Sequence, residues 1–167
     1  AMTWCLVGSE MCIRDSAQGD KYGYLNILCN NGNRLMQYTP YKSSVGNELR
    51  VLDYENSQWN ITYTLQGNDT SFGDLKNARI SSDGNTIIAF FGTDSVVIYK
   101  FIDSVWTQLQ QITGVQVSWM YGINKDGSLF GTNSSSNGKI INIYIYDSTS
   151  NSYIIRDTLT TTTNPTF

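Results

Sequence analysis

Histidine is absent from the 167 residues. That removes whole classes of chemistry at once: Ser-His-Asp and Cys-His nucleophilic catalysis, imidazole general bases and His-ligated zinc. Charge is scarce as well. Charged residues make up 15% of the chain, 11 basic against 14 acidic, for a net charge of -3. Such a balance carries no electrostatic footprint for nucleic acid or an anionic membrane. No apolar run approaches the ~18 residues of a helical membrane span, so no membrane insertion is expected. Residues 1–16 lack the basic stretch followed by an apolar stretch that marks a secretory leader. The three cysteines form no C-x-x-C, and no glycine-rich phosphate loop occurs, because the glycines punctuate apolar segments instead.

What is present points the other way. The chain is 40% hydrophobic and 13% aromatic, with 11 tyrosines, 4 tryptophans and 14 glycines. Rich β-branched and aromatic content with abundant Asn, Ser and Thr favours an all-β protein. A chain of this length can bury about 70% of its unfolded surface, enough for one domain with a real core.

The segment CLVGSEMCIRDS, residues 5–16, stands apart. It holds Cys5 and Cys12 but none of the turn chemistry found later, and its cysteine spacing suits neither a metal nor a redox site. All of it resembles the in-frame translation of an adapter used in transposase-based DNA library preparation. The alternative is a natural leader that happens to match. On the first reading residues 1–20 are a non-native or irregular segment and the genuine N-terminus is missing. Cys29 is then the one native cysteine, which leaves no disulfide framework.

Residues 21–167 repeat. Three units align, over about 22–66, 76–114 and 118–159. Each has an apolar segment, a glycine turn at Gly32, Gly84 or Gly127, a second apolar segment, a loop, an alternating segment, and an aromatic that opens a fourth. Val51, Ile98 and Ile143 fall in register, as do Tyr54, Phe101 and Tyr146. The openers Trp59, Trp106 and Tyr153 recur every 47 residues. The Asn-Gly and Asp-Gly pairs suit two-residue hairpin turns with positive φ. VVIYKF and INIYIY read as strands packed on both faces. Asp53, Asp83, Asp103 and Asp147 read as turn formers, and the recurring Trp59 and Trp106 as core. Four antiparallel strands at a period in the forties predict a partial β-propeller of about three four-stranded blades, with a β-sandwich as the alternative.

The block ISSDGNTIIAFFG followed by VVIYKFIDSVWTQLQQI resembles the FG-GAP-like and WD40-like β-propeller repeats. The first and third units depart from the pattern, with Asn30-Asn31-Gly32 in place of Ser-Asp-Gly and Tyr153 in place of tryptophan. The resemblance implies a fold, not an activity. It also implies that propellers bind partners through the loops 39–47, 67–74, 114–119 and 131–138. Tyr41, Phe72, Trp119 and Tyr121 are the aromatic candidates there, although packing between blades explains Trp119 and Tyr121 as well. The related integrin repeats imply calcium in such loops. Asn68, Asp69 and Asp74 offer oxygens, but they miss the D-x-[DN]-x-[DN]-G spacing, and hydrophilic turns explain them equally. No cofactor is therefore assigned. Sequons at Asn60, Asn68 and Asn133 are no more than this composition gives by chance. The expected role is a non-enzymatic binding or scaffold module of a larger surface, secreted or virion-type repeat protein, with a protein or glycan ligand. Two alternatives stand beside it: a propeller enzyme acting on glycans through carboxylates, and a structural protein that self-associates through open blade edges.

Overall fold

The computed structural model describes residues 25–29, 32–42, 46–67, 74–92, 94–115, 120–133 and 140–160. They form three four-stranded antiparallel meanders, each in simple sequential order. The first blade is β1 (Leu25–Leu28), β2 (Arg34–Lys42), β3 (Gly46–Glu55) and β4 (Gln58–Gln66). The second is β5 (Leu75–Ile80), β6 (Thr86–Phe91), β7 (Ser95–Ile102) and β8 (Val105–Thr113). The third is β9 (Met120–Ile123), β10 (Leu129–Asn133), β11 (Ile140–Asp147) and β12 (Ser152–Thr160).

The blades stack face to face, and the middle one is covered on both sides. Alternation along its strands decides which neighbour each residue meets, because successive side chains point to opposite faces. Ile87, Ala89, Val97 and Tyr99 join Met36, Leu49 and Val51 of the first blade in one core. Ile88, Phe90, Val96 and Ile98 join Phe130, Tyr144 and Tyr153 of the third in another. This is why β6 is buried at every position and shows no polar face.

The repeat extends to its irregularities. The third and fourth strands of each blade slip register at one equivalent place, after Val51, Ile98 and Ile143. A β-bulge at that point increases the local twist and bends the outer strand. Beyond it, the same cross-strand pair forms in every blade: Tyr54–Trp59, Phe101–Trp106 and Tyr146–Tyr153.

Two turn expectations are corrected. The glycine loops are not two-residue hairpins. Gly32, Gly84 and Gly127 have φ of 71°, 79° and 73°, and each N–H bonds back to the carbonyl three residues earlier, at Cys29, Ser81 and Asn124. These are longer loops in which, among the described residues, the glycine is the left-handed one. The surrounding residues explain the motif. Asp83 accepts from the Ser81 hydroxyl (2.5 Å) and the Asn85 N–H (3.0 Å), while Ser81 Oγ accepts from Thr86 N (3.0 Å). In the third blade Asn124 and Asp126 do the same for Leu129 and Ser128. The two-residue turns with both φ positive are instead Asn56–Ser57 and Asp103–Ser104, between third and fourth strands. The stretch 39–47, expected to be a loop, is largely strand: β2 runs to Lys42 and β3 starts at Gly46.

Polar staples cross both junctions. The Tyr38 hydroxyl donates to Leu75 O (3.2 Å) and Lys76 O (2.9 Å), and the Asn47 amide donates to Leu75 O. Between second and third blades, Gln110 spans the backbone of Tyr153. Its amide donates to Tyr153 O (3.1 Å) while its carbonyl accepts from Tyr153 N (2.6 Å).

A candidate binding groove between the first two blades

The glycine loops and the third-to-fourth turns lie at the same end of the sheets. Where first and second blades meet at that end, they leave a groove of about 840 Å³. Its walls are Asn33, Glu55 and Thr62 from the first blade and Asp83, Asn85, Ser104 and Val105 from the second.

Arg34 anchors the floor. It opens β2 and is only 12% exposed in its side chain. Asp53, directly opposite it in β3, accepts both guanidinium arms, at 2.6 and 2.9 Å. A third bond runs across the junction to Gly84 O at 2.8 Å, and the guanidinium lies 3.9 Å from the Phe101 ring centroid. A planar cation on an aromatic face that also forks a carboxylate is a geometry lysine cannot reproduce. The role expected for Asp53 is thus corrected: it sits within a strand and completes an ion pair, while the turn belongs to Asn56 and Ser57. Asp83 and Asp147 do serve turns, Asp147 by accepting from Thr149 N at 2.9 Å.

Behind Arg34, Trp106 packs against Phe101 (5.3 Å) and Tyr63 (5.8 Å). Burial pushes the Tyr63 phenol up to about 12. Trp106 is core, as expected, but its counterpart Trp59 is only half-buried on the outer face of the first blade. Cys29, also at this junction, is 2% exposed, and burial pushes its thiol up to about 11. At neutral pH it stays protonated, and a protonated thiol is a poor nucleophile.

Of the five ligand-binding residues expected from sequence, Tyr41, Asp69, Phe72, Asp74 and Trp119, only the side chain of Asp74 is described, and it is not among the groove's lining residues. Asp69, Phe72 and Trp119 lie outside the described residues, and of Tyr41 and Tyr121 only the backbone, in β2 and β9, is described. Asp74 is exposed and paired with Lys76 at 3.3 Å. The groove lies at the end of the sheets opposite the loops expected to bind. Its residues went unnoticed because Arg34 and Trp106 are 72 positions apart in sequence. The available signal was Arg34 itself, a buried-strand position occupied by a cation with Asp53 across the hairpin. Among the described residues, no three His, Cys, Asp or Glu side chains gather to hold a metal ion.

No protein family's sequence profile matches the chain, and no curated protein matches it in sequence. Solved structures share its fold. A Bacteroides fragilis protein provisionally assigned as a 6-phosphogluconolactonase superposes with a TM-score of 0.57 at 15% identity, over 81% of this chain and 38% of its own. Saccharomyces cerevisiae Sqt1 gives 0.57 at 11% identity, over 85% and 37%. The β-propeller domain of Cps50 (Swd1) from Myceliophteria thermophila gives 0.53 at 12% identity, over 81% and 42%. The chain therefore spans about two fifths of the length of these structures.

Proposed function

We propose that this β-propeller segment is a non-catalytic binding module whose groove between the first and second blades receives a basic segment of a partner protein. One observation carries the reading. Around an opening with an apolar wall, three carboxylates (Asp53, Glu55, Asp83) face one guanidinium, leaving the lining at a net charge of −2. The one cation is already committed to Asp53, Gly84 O and Phe101. Glu55 stays exposed at the rim, and Val105 is 61% exposed beside it. A lysine or arginine side chain supplies both complements, an apolar stem for Val105 and a charged head for the rim.

The test is titration of short Lys- and Arg-containing peptides against the chain, read by Trp106 fluorescence and calorimetry, with acetyl-lysine and citrulline versions as controls. Saturable binding that weakens with added salt, and by about tenfold in Glu55→Gln, is the expected result. Equal affinity for the neutralised peptides would overturn the assignment. A second reading, an enzyme acting on a sugar-derived substrate, takes its support from the lactonase assignment of one similar fold. Turnover of a sugar-lactone panel, abolished by a single carboxylate change, would establish that reading instead.

A further inference from the structure

Four arginines fall among the described residues, and three of them put Nε on a carboxylate oxygen: Arg34 on Asp53 at 2.6 Å, Arg50 on Glu48 at 2.5 Å and Arg156 on Asp157 at 2.6 Å. Arg79 is the exception. Its Nη1 donates to the Asn77 side-chain oxygen at 2.7 Å and to Ala78 O at 2.8 Å. Among the described residues its Nε and Nη2 meet no acceptor, and neither atom is sealed from solvent. Those two nitrogens form the edge of the guanidinium that grips an oxyanion side-on, through two parallel N–H bonds.

The register of β5 fixes where this edge sits. Ala78 and Ile80 point into the core shared with the first blade, so Asn77 and Arg79 point the other way, toward the third. Their partners across the hairpin, Phe90 and Ile88, are buried in the core shared with the third blade. Arg79 is therefore half-buried beside an apolar floor. Burial pulls its pKa down, and no described carboxylate acts against that. Lys100, another half-buried cation facing the third blade, differs in having Asp126 and Asp83 near enough to offset its burial. A desolvated cation without a counter-charge is unfavourable in a fold, and an arriving anion relieves it.

Arg34 shows what completes such a fork. Its Nη1 is held by Gly84 O at 2.8 Å, while Nε and Nη2 close on the two oxygens of Asp53 at 2.6 and 2.9 Å. Arg79 has the first half of this arrangement and lacks the second. Asn77 adds to it. Its side-chain oxygen accepts from Ala78 N at 2.8 Å and from Arg79 Nη1, which fixes the amide, and its Nδ2 meets no acceptor among the described residues. We propose that Arg79 and Asn77 form a second binding site, apart from the groove, for an oxyanion: the carboxylate or phosphate group of a small ligand. Two oxygens of that group take the Nε and Nη2 donors, and the Asn77 amide offers a further donor on the same strand face. Because Nη1 is tethered beforehand, little side-chain freedom is lost when the anion docks.

Thermal unfolding of the full chain in inorganic phosphate and in acetate, each against sodium chloride at matched ionic strength, tests the site. The expected result is a saturable rise in Tm that chloride does not give. Arg79→Gln abolishes it. Arg79→Lys, which keeps the charge and loses the fork, weakens affinity by about tenfold, and Asn77→Ala weakens it by less. In the unaltered chain the Nε–H resonance of Arg79 moves along the same titration, a reading that depends on no variant folding. A response to phosphate alone assigns a phosphorylated ligand; a response to acetate as well assigns any group with two terminal oxygens. A rise of equal size in Arg79→Gln would mean an adventitious ion only, held elsewhere, and would overturn the proposal. So would an Arg79 resonance indifferent to both anions.

Discussion

Gly32 and Gly127 occupy the same place in two blades, at φ of 71° and 73°, yet their surroundings differ completely. A Cβ at Gly32 would meet no atom within 4 Å; one at Gly127 would fall on Thr86, 2.9 Å from Cγ2 and closer still to Oγ1 and Cβ. Thr86 opens a strand of the second blade and is itself 1% exposed, so it has nowhere to retreat. Gly32→Ala thus isolates the cost of a left-handed alanine, about 1 kcal/mol. Gly127→Ala adds overpacking at a blade junction, about 1–3 kcal/mol more. Measured by equilibrium urea unfolding of both variants side by side, the gap should be about 2 kcal/mol, or roughly 4–8 °C in Tm for a chain of this size. Because the φ term is shared, the difference reports the junction alone. Two variants within about 0.5 kcal/mol of each other would mean that the second and third blades do not pack as described.

The other expectations bear on the same junctions. Arg34→Met strands Asp53 without its cation and costs about 3 kcal/mol; adding Asp53→Leu should recover part of that, since the orphaned carboxylate is then gone. Equal urea midpoints for the single and double variants would show that the pair contributes little. Gln110→Leu leaves two backbone groups of Tyr153 without their partner, at about 1–3 kcal/mol. Hydrogen exchange should show β12 amides exchanging earlier, with first-blade amides unaffected. Alkaline stability follows from burial, which raises the phenols of Tyr63 and Tyr153 from 10.0 to about 12 and that of Tyr99 further still. Each folded value lies above the unfolded one, so this stabilisation is complete below pH 10 and lost as pH rises toward 12. Urea midpoints that stay level across that window, while phenolate absorbance rises, would refute it.

What was legible in the sequence was whatever recurs. Val51, Ile98 and Ile143 could be aligned because one backbone device, the bulge beside them, is used three times and imposes the same side-chain demand each time. Trp106 was legible as core for the same reason. Repetition misled at Trp59, which holds the same position in the strand but in the blade whose outer face has no neighbouring blade among the described residues. A repeat fixes a residue's orientation, and the adjoining blade fixes its burial. Turn types failed for a different reason. Gly32, Gly84 and Gly127 announce a left-handed residue, but Ser81 and Asp83 widen the loop by offering their oxygens to the backbone of Asn85 and Thr86. Asn56–Ser57 and Asp103–Ser104 take the tight turn without any glycine. The groove was invisible because it belongs to no single unit. Its parts are what the first blade does not share with the others: Arg34 where the second has Thr86 and the third Leu129, and Asp53 where they have Lys100 and Ile145. In a repeat protein the conserved register builds the stack. Recognition chemistry has to be sought where one unit breaks the pattern, and among the described residues that break is sharpest at the junction of the first and second blades.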